Sequence, residues 1–120
     1  MEEILRNLSS QFSLPIRMAQ RYIQEHFAES LRLEDVAEHV GLSAVYLCSR
    51  FKQETGCGFT DYLNICRVEA AKKILSDTDQ KILSVAMASG FTGPRYFSRV
   101  FKAIVGMRPT EYRTASRKKQ

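Results

Sequence analysis

One pattern occurs twice in this 120-residue sequence, and that constrains its fold more than any other feature. Val36-Ala37, Gly41-Leu42-Ser43, Tyr46-Leu47, Phe51-Lys52, Gly56 and Thr60-Asp61-Tyr62 return as Val85-Ala86, Gly90-Phe91-Thr92, Tyr96-Phe97, Phe101-Lys102, Gly106 and Thr110-Glu111-Tyr112. The early blocks match at an offset of 49 and the later ones at 50, so one residue is inserted between Thr92 and Tyr96. Two copies make a duplicated unit, not a solenoid.

Each copy reads as helix, tight turn, helix. Leu33, Val36, Ala37 and Val40 share one helical face. Gly41 ends that helix, because glycine takes the left-handed conformation without a Cβ clash. Ser43 is a good N-cap for the next helix, on which Leu47 and Phe51 face the core until Gly56. In the second copy Val85, Ala86 and Met87 precede Gly90, Thr92 is the expected cap, and Phe97 and Phe101 face inward. Ala37 and Ala86 are small where paired helices must cross closely. Two helices around a short glycine turn form the helix-turn-helix pattern; a generic helical hairpin is the weaker alternative.

The remaining sequence supplies further helices. One starts near Pro15 and carries Ile16, Ala19, Tyr22, Ile23 and Phe27 on an amphipathic face. A long connecting helix is expected from Phe59 to Leu75 on Leu63, Cys66, Ala70 and Ile74, with Ala71 and Leu75 beside them. Pro109 starts a short last helix through Tyr112. The expectation is an all-α chain of about seven helices: an extension at 1–14, helix-turn-helix subdomains at 15–58 and 77–113, a connecting helix at 59–76 and a basic tail at 114–120. The first ten residues or so and the Arg117-Lys-Lys-Gln120 tail are expected to fray.

Charge is unevenly spread. Residues 1–60 hold six Lys/Arg against eight Asp/Glu, and residues 61–120 hold twelve against five, giving −2 and +7. A basic half suits a polyanion such as nucleic acid, although a solvated surface alone also accounts for it. The longest uncharged stretch, Ile82 to Pro94, is broken by Ser84, Ser89, Gly90 and Thr92, which excludes a membrane span. Met1 to Gln11 lacks the apolar core of a signal peptide. A soluble, cytoplasmic protein is therefore expected, with no membrane partner. Cys48, Cys57 and Cys66 lack any C-x-x-C pairing and read as reduced thiols, not staples or zinc ligands. His26 and His39 have no ligand-spaced partner, so no metal and no cofactor is expected.

The chain resembles the DNA-binding domain of the AraC/XylS family of bacterial transcription regulators over about residues 15–113. The stretch from Gly90-Phe-Thr-Gly-Pro-Arg-Tyr96 through Phe101-Lys to Gly106-Met-Arg-Pro109-Thr-Glu-Tyr112-Arg113 follows the family signature almost position by position. Leu42-Ser43, Tyr46-Leu47, Phe51-Lys52 to Gly56, Tyr62-Leu63, Arg67, Ala70 and Leu75 match the earlier part. The resemblance implies seven helices, two helix-turn-helix subdomains joined by a rigid helix, and a second helix from each subdomain in the major groove. It implies double-stranded DNA as partner, a separate N-terminal sensor or receiver domain, and contact with RNA polymerase by activators. The run Tyr62 to Ala71 is similar to the output domains of response regulators, so an excised output domain of a longer regulator, monomeric as a fragment, is the favoured expectation, with a stand-alone short member of the family as the alternative.

Helical period then selects the DNA-facing side chains. Opposite Phe97 and Phe101 lies a stripe of Arg95, Arg99 and Lys102. An arginine bonds both O6 and N7 of guanine, so Arg95 and Arg99 are the expected base readers and Lys102 a phosphate contact. The first unit's stripe is Val45, Ser49 and Lys52, with Ala44 and Cys48 alongside. Relatives often carry a larger polar or basic residue at the Ser49 position. Ala44, Val45, Cys48 and Ser49 are expected to read bases by packing on thymine methyls or through one hydroxyl bond. Phosphates are expected at the helix N-termini near Ser43 and Thr92, and at Lys52, Lys102, Arg67, Arg108 and Arg113. Arg67 has an alternative as a structural clamp. A helical protein-interaction module is the competing class of function. An enzyme has no support, because no phosphate loop, nucleophile motif or His/Cys/Asp cluster is present.

Overall fold

Seven α-helices and no strand occur among the described residues, 12–118, of the computed structural model. They are α1 (Leu14–His26), α2 (Leu33–Val40), α3 (Ala44–Thr55), α4 (Phe59–Asp77), α5 (Ile82–Ala88), α6 (Pro94–Val105) and α7 (Pro109–Lys118). The expectations for residues 1–11, Lys119 and Gln120 lie outside the described residues.

The two turns are built alike. Gly41 (φ 76°) and Gly90 (φ 99°) are left-handed. Beyond them the Leu42 N–H donates to the Ala37 carbonyl at 3.0 Å and the Phe91 N–H to the Ala86 carbonyl at 2.9 Å. Each bond satisfies a carbonyl that the helix end would otherwise orphan. The helices that follow start differently. Ser43 caps α3 as expected, its Oγ accepting the Tyr46 N–H at 3.1 Å. Thr92 does not cap α6. The N-cap is Gly93, with no side-chain bond, and Pro94 is the first helical residue. Proline's fixed φ and missing N–H suit that position, so the inserted residue moves the helix start one place beyond Thr92.

Packing extends the repeat further than sequence matching does. Buried Ile16, Ala19 and Ile23 of α1 have the same spacing as buried Val68, Ala71 and Leu75 of α4. Helix α4 thus closes the first copy and opens the second. Its buried line matches the expected one at Leu63, Ala71 and Leu75 and differs elsewhere: Cys66, Ala70 and Ile74 are half-buried, while Asn64 and Val68 are buried. The apolar residues of α4 are too evenly spread around it for periodicity to choose a side. Met87 also faces solvent, leaving Val85 and Ala86 as the core residues of α5.

Contacts divide the described chain into two units: residues 12–26 with Leu31–Leu63, and Phe27–Ser30 with residues 64–118. In the first, Phe51 meets Tyr62 edge-on, with centroids 5.4 Å apart. In the second, Phe101 meets Tyr112 edge-on at 5.6 Å, within a core of Val68, Leu75, Val85, Phe91 and Phe97. Glu54 ties down the start of α1, accepting from the N–H and Oγ of Ser13 at 2.7 Å each and from Arg50 Nε at 2.6 Å.

The last helix does not stop near Tyr112. It runs to Lys118 because two arginines anchor it. Arg113 Nε donates to the Leu75 carbonyl at 3.1 Å. Arg117 donates to the Thr78 carbonyl and, at 2.6 Å, to Asp79 Oδ1. Arg67, its counterpart in the first copy, donates to the carbonyls of Phe27 (2.8 Å) and Glu29 (3.0 Å).

Candidate nucleic-acid interface

Two second helices, α3 and α6, present the expected faces. On α3, Leu47 and Phe51 are buried, while Cys48, Ser49 and Lys52 are exposed and Ala44 is half-buried. Val45 is 83% exposed. On α6, Phe97 and Phe101 are fully buried, and Arg95, Arg99 and Lys102 are exposed. The two faces thus differ in chemistry as the sequence indicated: small and apolar on α3, cationic on α6.

Some cations are paired with carboxylates and others are not. Arg21, Arg32, Arg50, Lys72 and Arg117 each pair with a carboxylate at 2.6–3.5 Å. Among the described residues, no carboxylate pairs with Arg95, Arg99, Lys102 or Arg108. Lys52, Lys73 and Lys81 are exposed and likewise without a carboxylate partner among the described residues, so four of the unneutralised cations lie on α6 and just before α7 and others lie elsewhere.

Arg99 is held in place. Its guanidinium carbon lies over the ring of Tyr96, 5.6 Å from the centroid. The Tyr96 hydroxyl in turn accepts from Asn64 Nδ2 at 3.1 Å. Tyr96 was visible in the sequence only as a mark of the repeat. Its spacing from Arg99 puts them on adjacent turns, which is the signal that could have joined them. Asn64 carries no such signal.

The expected phosphate contacts fall into different settings. Ser43 and Thr92 are exposed next to the starts of α3 and α6, and Lys52, Lys102 and Arg108 are exposed. The Arg108 backbone N–H is bound by Glu111 Oε1 at 2.9 Å, which leaves its side chain outside that cap. Arg67 is different. Besides its two carbonyl bonds it lies over the Phe91 ring at 5.9 Å, and burial pulls its pKa below the ordinary guanidinium value. Arg113 is half-buried, and its Nη2 is buried without a hydrogen-bond partner. Both guanidinium groups are turned toward backbone carbonyls.

No helix among the described residues is long and apolar enough to cross a membrane, and no group of three or more His, Cys, Asp or Glu there could hold a metal ion. The three cysteines are free; burial, with Asp61 nearby, pushes the Cys57 thiol up.

Comparison with known proteins places this arrangement. The family model described as "Helix-turn-helix domain" matches residues 36–115. Regulatory protein PocR of Salmonella typhimurium is 40% identical over 98 residues, covering 82% of this chain and 32% of PocR. The chain spans 12–32% of the length of the curated relatives it matches. Among solved structures, the C-terminal domain of AraT, a response regulator from Geobacillus stearothermophilus, is 39% identical with a TM-score of 0.82, covering 88% of each chain. The DNA-binding domain of AdpA, a global transcriptional factor solved in complex with a target DNA, is 28% identical with a TM-score of 0.82 over 90% of this chain and 97% of that one. The chain belongs to the AraC-type family of helix-turn-helix DNA-binding domains of transcription regulators.

Proposed function

We propose that the chain binds duplex DNA sequence-specifically as one copy, with α3 and α6 reading two successive major-groove segments. The carrying observation is the exposed, carboxylate-free stripe of Arg95, Arg99 and Lys102 opposite buried Phe97 and Phe101. Arg95 and Arg99 read guanine through paired hydrogen bonds, and Ala44, Val45, Cys48 and Ser49 select by fit against thymine methyls or by a single hydroxyl bond. Lys52, Lys102, Arg108 and the helix starts at Ser43 and Thr92 hold phosphates. Arg67 and Arg113 serve the fold. The likeness to the AraT C-terminal domain supports a role as the output domain of a longer regulator.

Selection of bound duplexes from a random pool tests this. The expected product is a non-palindromic site of about two helical turns, with the two half-sites roughly 34 Å apart. Each neutralised phosphate should contribute about −0.9 to the slope of log affinity against log salt. A palindromic selected site, or binding indifferent to salt, refutes the proposal.

A further inference from the structure

The longest uncharged stretch of the sequence, Ile82 to Pro94, contains the whole of α5. Burial of Val85 and Ala86 accounts for one side of that helix. The other side, Leu83, Ser84, Met87 and Ala88, is exposed, with Leu83 at 54% and Met87 at 56%. Pairs four residues apart stack on a helix surface, so these residues form one continuous face. The first copy is its internal control. At the matching offset of 49, the same face of α2 carries Glu34, Asp35, Glu38 and His39. Every one of these positions is charged or titratable on α2, and none is on α5. The fold therefore does not require an uncharged surface at this register.

We propose that this face of α5 is a contact between two copies of the chain bound at neighbouring sites on one duplex. The inference rests on the proposed DNA-binding role. Self-complementarity favours a second copy as the occupant. A two-fold contact sets each side chain near its own equivalent, which suits leucine, methionine, serine and alanine and rejects like charges. With three carboxylates, the matching face of α2 could not make it. Size and charge place the contact on DNA. A stable free complex buries about 800 Å² on each partner, and these side chains offer only a small part of that. Two copies that each carry a net charge of +5 also repel one another in free solution. A duplex removes both obstacles, because it screens the cations and holds the two copies at a high effective concentration. Since α5 and α6 belong to the same unit, the two sites must be inverted, with the segments read by α6 innermost. Each site by itself remains non-palindromic.

Duplexes carrying one selected site, or two inverted sites at spacings scanned across a helical turn, test the contact. At one spacing per turn the wild type should fill the second site about tenfold more tightly than the first, and direct repeats should show no such gain. Met87→Glu introduces the residue type that α2 already carries at Glu38, so the helix tolerates it. It should bind a single site as the wild type does and lose the gain. Met87→Lys should lose it too. A mixture of the two variants should recover part of it, because opposite charges then meet between the copies; any other occupant of this face gives no such rescue. Independent filling by the wild type at every spacing, or an undiminished gain in Met87→Glu, overturns the contact while single-site binding stands. Failure of the wild type at the single site overturns the DNA-binding reading, and this contact with it.

Discussion

Arg99 lies over the ring of Tyr96, and Tyr96 is itself held by Asn64, which is 8% exposed on α4. This chain restricts a long side chain that would otherwise lose its rotamer freedom only on binding. Arg99→Ala should weaken specific binding by about 1–3 kcal/mol and change non-specific binding much less, as measured by competition between selected and scrambled duplexes. Lys102→Ala should weaken both nearly equally. Phe101→Ala is the folding control: the cavity should destabilise the protein by about 3–5 kcal/mol, and its binding loss should follow unfolding. A folded Arg99→Ala protein with unaltered preference at every base pair would remove Arg99 from the readers.

Tyr96→Phe separates the stack from its support. The ring stays, but buried Asn64 Nδ2 loses its acceptor, so stability should fall by about 1–3 kcal/mol in a urea titration. Tyr96→Leu also removes the stack, and here discrimination at the base read by Arg99 should decline further. Equal discrimination in both variants would show that the stack does not position Arg99.

The two turn glycines look equivalent in sequence and are not. A Cβ on Gly41 meets nothing within 4 Å. On Gly90 it would lie 2.5 Å from the Phe27 carbonyl oxygen and 2.8 Å from Arg67 Nε. Gly41→Ala should cost about 1–2 kcal/mol, the penalty of a left-handed alanine. Gly90→Ala should cost clearly more, because the backbone of Phe27 and the Arg67 bonds must also move. Matching urea midpoints for the two variants would contradict this.

That difference shows what the sequence carried and what it did not. Local rules placed both turns, the Ser43 cap and the buried Phe51 and Phe101, because each depends on residues within one helical turn. Thr92 failed as a cap because Pro94, two residues on, sets the helix start more strongly than a hydroxyl does. On α4 the sequence named Leu63, Ala71 and Leu75, which are buried, but not Val68 or Asn64, because that helix has core residues in both units and its buried side shifts along its length. The settings of Arg67, Arg113 and Arg117 depend on carbonyls 38 to 40 residues away, which no spacing rule reaches. Helical period found the exposed stripes of α3 and α6, because the residues of each stripe share one helix.

Acid should loosen the first unit through Glu54. Desolvation pushes its carboxyl upward, but the Ser13 N–H and hydroxyl and the Arg50 guanidinium outweigh that and hold its pKa below the usual carboxylate value. The unfolded chain therefore takes up this proton first. The contribution is complete above about pH 5 and is lost as pH falls through the carboxylate range. Glu54→Gln should be less stable than the wild type at pH 7, with the gap closing near pH 3. A gap that stays constant across that range would deny Glu54 this role.

The proposed contrast between α3 and α6 in reading DNA can be tested by base chemistry alone. Val45 is 83% exposed on α3 and can gain only by packing on an apolar group, such as the C5-methyl of thymine. Replacing each thymine of the selected site by deoxyuridine deletes that methyl and nothing else. In the segment read by α3, one such change should weaken binding by about 0.8 kcal/mol, the value of one buried methyl-sized group. Val45→Ala should bind more weakly and no longer respond to that change. In the segment read by α6, deoxyuridine should matter little, whereas 7-deazaguanine, which lacks the N7 acceptor, should weaken binding through Arg95 or Arg99. The two analogues therefore map the helices onto opposite halves of the site. Sensitivity to deoxyuridine that persists undiminished in Val45→Ala would mean the methyl is read by another side chain.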